Sequence, residues 1–208
     1  FIAKGELDPV DYDEHFDLAF LCELKKLEEK PDNQLISDMR QQGREISPSV
    51  FPQLKKHFGD YEVYSTEEML YETIDELNYK WHLKGFIDLV IKTTDGKYHI
   101  LDWKSCSWGW DAKKRSEKLV TYQLTLYKKF FCKKHNIAPS DVETHFGLLK
   151  RTSKSDKVEI FRVTSGDRKT NNATKLLTDG CRTIKAGNYV KNRLGCSGCE
   201  FRHTKHCP

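Results

Sequence analysis

Hydrophobic residues follow two different periods along this chain of 208 residues. Short apolar runs bounded by turn residues predict strands, and apolar residues at i, i+3, i+4 and i+7 predict helices. The predicted strands cover 61–71, 81–92, 98–103, 142–150 and 157–163. The predicted helices cover 16–29, 38–56, 112–135 and 171–186. This order predicts an α/β (α+β) fold with a mixed central β-sheet flanked by helices.

Two of the predicted strands form a hairpin that carries acidic residues near its open end. The turn lies at Asp95-Gly96, so the hairpin can bring Asp88 near Asp102. Side chains of residues i and i+2 lie on the same face of a strand, and Lys104 therefore points to the same side as Asp102. Two carboxylates and a lysine are expected to converge there.

This set of residues is suited to hydrolysis of a phosphodiester. Carboxylate oxygens bind Mg²⁺ or Mn²⁺, and a bound divalent ion can polarise a phosphoryl oxygen and activate water. Lys104 would orient that water or offset the charge on the phosphate. An acid-x-lysine strand end is by itself common on protein surfaces, so the following helix matters for the interpretation.

That helix carries one polar position inside an apolar stripe. Gln123 and Tyr127 are four residues apart and lie on one helix face. Both side chains could reach out of the core toward a phosphate or a metal-bound water. Together with the two acids upstream, they indicate a catalytic site.

These motifs resemble the PD-(D/E)XK nucleases, and within them the RecB-type branch. Gly85-Phe86-Ile87-Asp88, then Asp102-Trp103-Lys104, then Gln123 and Tyr127 follow the order of that branch, and the sequence around Trp103 is similar to phage-borne exonucleases and the mitochondrial genome-maintenance exonuclease. The resemblance implies a restriction-endonuclease-like core. It also implies that Asp88, Asp102 and the Trp103 carbonyl bind metal, that Lys104 is catalytic, and that Gln123 and Tyr127 position substrate.

Two positions bear on how closely the chain follows this branch. The branch usually presents a histidine four residues after the glycine of an upstream helix, where this chain has Gly43 followed by Ser47. His57 could substitute for it. The branch also tends to carry an acid on the strand before the first motif, and Glu67 is the candidate, with Glu68 next.

The C-terminal segment carries clustered metal-ligand residues. Cys196, Cys199 and Cys207, with His203 or His206, could hold Zn²⁺ in a tetrahedral site. The same pattern resembles the [4Fe–4S] tail of several RecB-type nucleases, in which Cys22 or Cys181 would supply the fourth ligand. Free cysteines are the third interpretation.

Basic and aromatic residues suggest contact with a polyanion. The net charge is only +4, but the basic residues occur in groups. Such groups bind phosphates without sequence preference, and exposed tryptophans can stack on unpaired bases. The nucleic-acid candidates are Lys113, Lys114, Arg115, Trp108, Trp110, Lys150 and Arg151.

Composition limits the class of protein further. Seven cysteines, an odd number, argue against a disulfide framework, and no apolar run is long enough to span a bilayer. The cytoplasm is therefore the expected location, or the host cytoplasm for a phage-encoded chain. We expect a single domain over 1–208, with N-terminal helices to about 58 and a Cys/His-rich tail from about 194.

The sequence therefore predicts a metal-dependent DNA nuclease, expected to act as an exonuclease on single strands or duplex ends. Because of Ser47, an inactive nucleic-acid-binding module on a nuclease fold is an alternative. A second alternative is a metal-bearing interaction domain whose tail binds a replication or recombination protein.

Overall fold

A computed structural model of the protein describes residues 12–29, 31–188, 193–205 and 207. The helices are α1 (Tyr12–Lys26), α2 (Asn33–Phe58), α3 (Ala112–Ser116), α4 (Lys118–His135) and α5 (Asp167–Lys185). The strands are β1 (Tyr61–Thr73), β2 (His82–Thr93), β3 (Tyr98–Cys106), β4 (Val142–Lys150) and β5 (Val158–Val163). Within the described ranges, no helix combines the length and apolarity needed to cross a bilayer.

The five strands form one mixed sheet in the order β1-β2-β3-β4-β5. Strands β3 and β4 are parallel, and the other neighbours are antiparallel. A parallel pair needs a crossover connection, which is provided here by α3 and α4. The predicted α/β fold with a mixed sheet flanked by helices is confirmed.

Each face of the sheet buries a separate set of apolar side chains. Leu89, Ile91 and Leu101 pack with Ile46 and Leu54 of α2 on one face. On the other face, the larger cluster joins α4 and α5 to the sheet, through Ile87, Ile100, Leu124, Phe130, Phe131, Phe146 and Cys181 among others. Side chains that alternate along β3 therefore reach two different environments.

The long predicted helix over 112–135 is interrupted in the structure. Glu117 has extended backbone angles (φ −59°, ψ 124°) between α3 and α4. Helix α3 is capped by the Asp111 side chain, which accepts a hydrogen bond from the backbone N–H of Lys114 at 2.7 Å. The prediction of one continuous helix was therefore wrong at Glu117. The sequence does not indicate this break, because neither proline nor glycine occurs there.

Glu68 of β1 connects the sheet edge to the end of α4. It is buried, and its Oε1 accepts hydrogen bonds from Lys134 Nζ at 2.8 Å and His135 Nε2 at 2.6 Å. Ser65 donates to the other carboxylate oxygen. Burial acts to raise the pKa of Glu68, but these hydrogen bonds outweigh it and hold the pKa below its ordinary value.

We expect Glu68→Gln to lower the free energy of unfolding by about 1–3 kcal/mol at neutral pH, because Lys134 and His135 lose the carboxylate that accepts their hydrogen bonds. A lowered folded-state pKa means that this contribution is present above the ordinary carboxyl pKa and is lost as the pH falls through the lowered value. Urea unfolding at several pH values measures it. Glu67→Gln, at the exposed neighbouring residue, is the control and should change the free energy of unfolding little. Equal stabilities of the two variants would show that the hydrogen bonds of Glu68 do not stabilise the fold.

Gly147 lies opposite Trp103 in the parallel β3–β4 pair. A methyl group at Gly147 would overlap the six-membered ring of Trp103, whereas one at Gly180 in α5 would meet nothing within 4 Å. We expect Gly147→Ala to destabilise the fold by about 1–3 kcal/mol through overpacking. Gly180→Ala should stabilise it by up to about 1 kcal/mol through helix propensity. Thermal unfolding of both variants checks this contrast, and a neutral Gly147→Ala would contradict it.

Candidate functional site

The site begins where strands β2 and β3 separate. Their pairing ends at Leu89 and Leu101, one residue short of Asp88 and Asp102. Beyond that point, the backbone N–H of Trp103 donates to Asp88 Oδ2 at 2.6 Å. Asp88 thus replaces the hydrogen bond that a continued strand would have made.

Asp102 is 2% exposed and contacts two polar side chains. Gln123 Nε2 donates to its Oδ1 at 3.0 Å. Lys104 Nζ lies 2.6 Å from its Oδ2 and forms an ion pair with it. Both carboxylate oxygens of Asp102 therefore face a polar side chain.

The electrostatics of Asp102 reflect its burial. Removal from water raises the pKa of Asp102, and Lys104 partly offsets the effect. The negative charge of Asp88 also raises this pKa. A carboxylate in such a position is costly to keep ionised unless a further cation approaches it.

Gln123 also contacts Tyr127, the other candidate residue on α4. Its Nε2 donates to Tyr127 Oη at 3.1 Å, so both residues belong to one hydrogen-bonded group with Asp102. Gly85 makes room for Tyr127, since a Cβ at that glycine would lie 2.8 Å from Tyr127 Cε1. The first glycine of the Gly85–Asp88 motif therefore has a packing role toward α4.

The backbone of Trp103 presents a third oxygen near the acids. The N–H and C=O of a strand residue point toward the same neighbouring strand. Since the Trp103 N–H points to Asp88, its carbonyl also faces the gap between β2 and β3. Two carboxylates and a carbonyl are the hard oxygen ligands that Mg²⁺ and Mn²⁺ prefer. By the chemistry of these three oxygens, the residues fit a divalent cation.

In the described part of the chain, the candidate residues upstream of Asp88 form no hydrogen bond or ion pair with Asp88, Asp102 or Lys104. Ser47 Oγ donates to the Gly43 carbonyl in its own helix at 2.8 Å, and His57 lies at the end of α2 beside His145. Glu67 is exposed, has a φ of +48°, and falls between the Thr66–Leu89 and Glu68–Ile87 pairs, hence opposite Asp88. Positive φ is uncommon for a non-glycine residue. Glu68 is engaged with α4.

The cysteine tail folds into short turns. Backbone hydrogen bonds join Cys199 to Cys196 and Cys207 to Thr204. Cys22 is exposed on α1, Cys181 is buried in α5, and His206 lies outside the described residues. In the part of the chain that the structure describes, no three of these thiols and imidazoles have ligand atoms within 4.8 Å of one another.

The predicted nucleic-acid residues differ in their surroundings. Trp108 is 72% exposed, whereas Trp110 packs against Phe146 with ring centroids 5.1 Å apart. Lys113 and Arg151 are exposed. The other three cations face carboxylates: Lys114 contacts Glu117, and Arg115 and Lys150 contact Glu159.

One group of potential ligands was not found from the sequence. His99, Glu143 and His145 place ligand atoms within 4.8 Å of one another on β3 and β4. Burial lowers the pKa of His145 to about 2. The Glu143-x-His145 spacing, which puts both side chains on one strand face, is the signal that could have indicated it.

Comparison with known proteins was made on sequence and on structure. No curated protein matches the chain. Two solved structures are similar: the protein named "Putative exonuclease" from Eubacterium rectale (14% identity, 94% of this chain and 73% of that chain covered, TM-score 0.51) and SSO0001 (16% identity, 93% and 77% covered, TM-score 0.47). At these identities, the first similarity speaks for the fold alone. The sequence profile of the PD-(D/E)XK nuclease superfamily matches residues 7–206, and the chain therefore belongs to that superfamily.

Proposed function

We propose that the protein is a metal-dependent DNA nuclease of the RecB-type branch, and that it acts as an exonuclease on single strands or duplex ends. The observation that carries the proposal is the group formed by Asp88, Asp102 and Lys104. Lys104 pairs with the buried Asp102 carboxylate, and Asp88 accepts the backbone N–H of Trp103, which lies between those two residues in the chain. The superfamily supports hydrolysis; the DNA substrate and exonucleolytic action rest on the motif resemblance and the basic surface.

Asp88, Asp102 and the Trp103 carbonyl would hold Mg²⁺ or Mn²⁺. A divalent ion bound there supplies Lewis-acid polarisation of the phosphate and lowers the pKa of a water. The free lone pairs of Asp88, whose Oδ2 already accepts the Trp103 N–H, would face the same gap between strands. Glu67 is proposed as a further acid at the site, because the strand register sets it opposite Asp88.

Lys104 would contact the phosphate of the substrate. Its side chain is 34% exposed, so the ammonium group can contact both Asp102 and an incoming substrate. There it would orient the attacking water and offset the charge that develops on the phosphoryl oxygens. Gln123 fixes the rotamer of Asp102, and Tyr127 in turn contacts Gln123, so these two residues would position the acid and the substrate.

The DNA strand would approach along the ends of β3 and β4. Because these strands are parallel, their C-terminal ends lie together, and Arg151 is joined to Cys106 by a backbone hydrogen bond of 2.8 Å. A cleft of about 700 Å³ between α2 and the β4–β5 turn is lined there by Gln42, Arg151, Lys154 and Lys157 among others. Phosphates would contact Lys113 and Arg151, and Trp108 would stack on a base. Phosphates would compete with the carboxylates that now contact Lys114, Arg115 and Lys150.

The tail cysteines are proposed to bind either Zn²⁺ or a [4Fe–4S] cluster. A cluster separates its four thiolates more widely than a single zinc ion does, so the ligands Cys196, Cys199 and Cys207 need not meet at one point. Metal analysis and the visible absorption of the purified protein distinguish the two.

Lys104→Ala is expected to lower the rate of cleavage of labelled single-stranded DNA in Mg²⁺ by about 100- to 1000-fold, since one preorganised cation is removed from the developing charge. The matched control is Lys92→Ala, a half-exposed lysine of β2 whose amine lies 3.9 Å from Glu62. The control should cleave at the parent rate, and both variants should unfold at similar temperatures. Full activity in a folded Lys104→Ala variant would remove this lysine from the mechanism.

The same assay tests the inactive binding module, for which Ser47 at the expected histidine position is the motivating observation. That alternative requires tight, salt-dependent DNA binding by the parent protein and no cleavage with any divalent ion. Cleavage that is lost in Lys104→Ala excludes it.

Asp102→Asn is expected to abolish cleavage while leaving the free energy of unfolding equal or higher by about 1 kcal/mol at neutral pH, because a buried charge is removed. The raised folded-state pKa of Asp102 means that the native state binds its proton more tightly than the unfolded chain. The ionised Asp102 side chain therefore does not destabilise the native state at low pH, and its destabilising effect appears as the pH rises through the folded pKa. Denaturant unfolding from acid to neutral pH measures this. A large loss of stability at neutral pH would show that Asp102 is structural.

A further inference from the structure

Three potential metal ligands lie on the sheet face opposite to Asp102. His99 is near the start of β3, and Glu143 and His145 are near the start of β4, with His99 paired to Glu143 across the parallel strands. This face packs against α2: Phe58 contacts the rings of both histidines, with centroids 4.9 Å and 5.0 Å away. The cluster is therefore separate from the group around Asp102, which contacts α4.

The distances within the cluster are close to those of a metal centre. His99 Nδ1 and His145 Nε2 are 3.1 Å apart, and each lies 3.9 Å from Glu143 Oε2. In a tetrahedral zinc site, ligand bonds of about 2.0–2.2 Å place neighbouring ligand atoms roughly 3.3 Å apart. Shifts of a few tenths of an ångström would bring the three atoms to that spacing.

A hydrogen-bonded chain fixes the orientation of His99. Thr93 Oγ1 donates to Asp95 Oδ1 at 2.5 Å, so its lone pair accepts from His99 Nε2–H at 3.0 Å. The proton of His99 is then on Nε2, and Nδ1 presents a lone pair to His145 and Glu143. Histidines that bind metals in proteins are oriented in this way by a partner on the other ring nitrogen.

One ring nitrogen of the cluster has no hydrogen-bond partner among the described residues. If His145 Nε2–H donates to His99, the second nitrogen of His145 has no proton and no donor. That nitrogen, Nδ1, is buried without a hydrogen-bond partner among the described residues. A cation between the two facing nitrogens would use both of their lone pairs, whereas a hydrogen bond uses one. The proton of His145 would then lie on Nδ1, which has no partner among the described residues in either case.

Glu143 closes the cluster on its outer side. Its Oε1 lies 3.0 Å from Arg162 Nη2 and 3.7 Å from Lys97 Nζ, two exposed cations that hold the carboxylate in place. The other oxygen, Oε2, is directed to the histidines. The two cations disfavour an additional positive charge, so the ion must be one that binds imidazole strongly.

We propose that His99 Nδ1, His145 Nε2 and Glu143 Oε2 form a Zn²⁺ site distinct from the nuclease centre. Two imidazoles and one carboxylate are ligands for a borderline-soft ion, not for Mg²⁺, which prefers oxygen. The ion would join β3 to β4 across the α2 face and so stiffen β3, the strand that carries Asp102 and Lys104, against its neighbour.

Zinc titration of the full chain tests this site when the other metal sites are excluded. Replacing Cys196, Cys199 and Cys207 by serine removes the tail thiolates, and millimolar Mg²⁺ occupies the oxygen ligands around Asp88. Competition with a chromophoric chelator should then give one tightly bound Zn²⁺ per chain. Free zinc at 100 times the dissociation constant should raise the midpoint of thermal unfolding by about 5–10 °C.

Two ligand variants and one control are compared in the same serine background. His145→Asn and the size-matched Glu143→Gln should weaken zinc binding by at least about tenfold and remove the thermal shift. His82→Asn, an exposed histidine stacked on Tyr71, should bind zinc like its parent. The proposal is overturned if the parent binds no zinc, or if Glu143→Gln folds and binds zinc unchanged. Zinc affinity is read without DNA, so this outcome is independent of nuclease activity.

Discussion

The hydrogen bond from the Trp103 N–H to Asp88 sits where regular pairing between β2 and β3 stops, and the candidate site depends on it. A continued antiparallel ladder would have occupied the same N–H and closed the gap between the strands. By accepting this bond with a side chain, Asp88 satisfies the backbone and lets the strands separate. The Trp103 carbonyl, which points to the same side of β3 as its N–H, then faces the gap between the two strands. The sheet thus ends its pairing without leaving an unsatisfied buried donor.

Asp102 carries the energetic cost of the site. A buried carboxylate with a raised pKa opposes folding at neutral pH, and Lys104 and Gln123 offset this cost only in part. The surrounding core is large: Ile87, Ile100 and Leu124 on the same face are fully buried. Apolar burial of this kind can stabilise the fold enough to offset the desolvation of one buried carboxylate. The contrast with Glu68 is instructive, because that buried acid has three donors and a lowered pKa.

The parts of the site that follow from short-range geometry could be predicted from the sequence. Alternation puts Asp102 and Lys104 on one face, the Asp95-Gly96 turn sets the β2–β3 register, and helical spacing joins Gln123 to Tyr127. Contacts between distant segments could not be predicted in this way. Glu159 contacts two residues of the basic groups, Arg115 and Lys150, and the sequence gives no sign of this pairing. The break between α3 and α4 at Glu117 could not be predicted either, since no turn residue accompanies it.

The parallel pairing of β3 with β4 explains why two candidate sites lie apart on the same pair of strands. Successive residues of β3 alternate between the α4 face and the α2 face, so Asp102 and His99 are three positions apart yet lie on opposite sides. Parallel register also sets His99 beside Glu143 at the start of both strands and brings their C-terminal ends together near Arg151. An antiparallel partner would have placed the start of β4 next to the acids instead. The crossover through α4 is therefore what separates the histidine cluster from the nuclease motifs, while the same strands connect them.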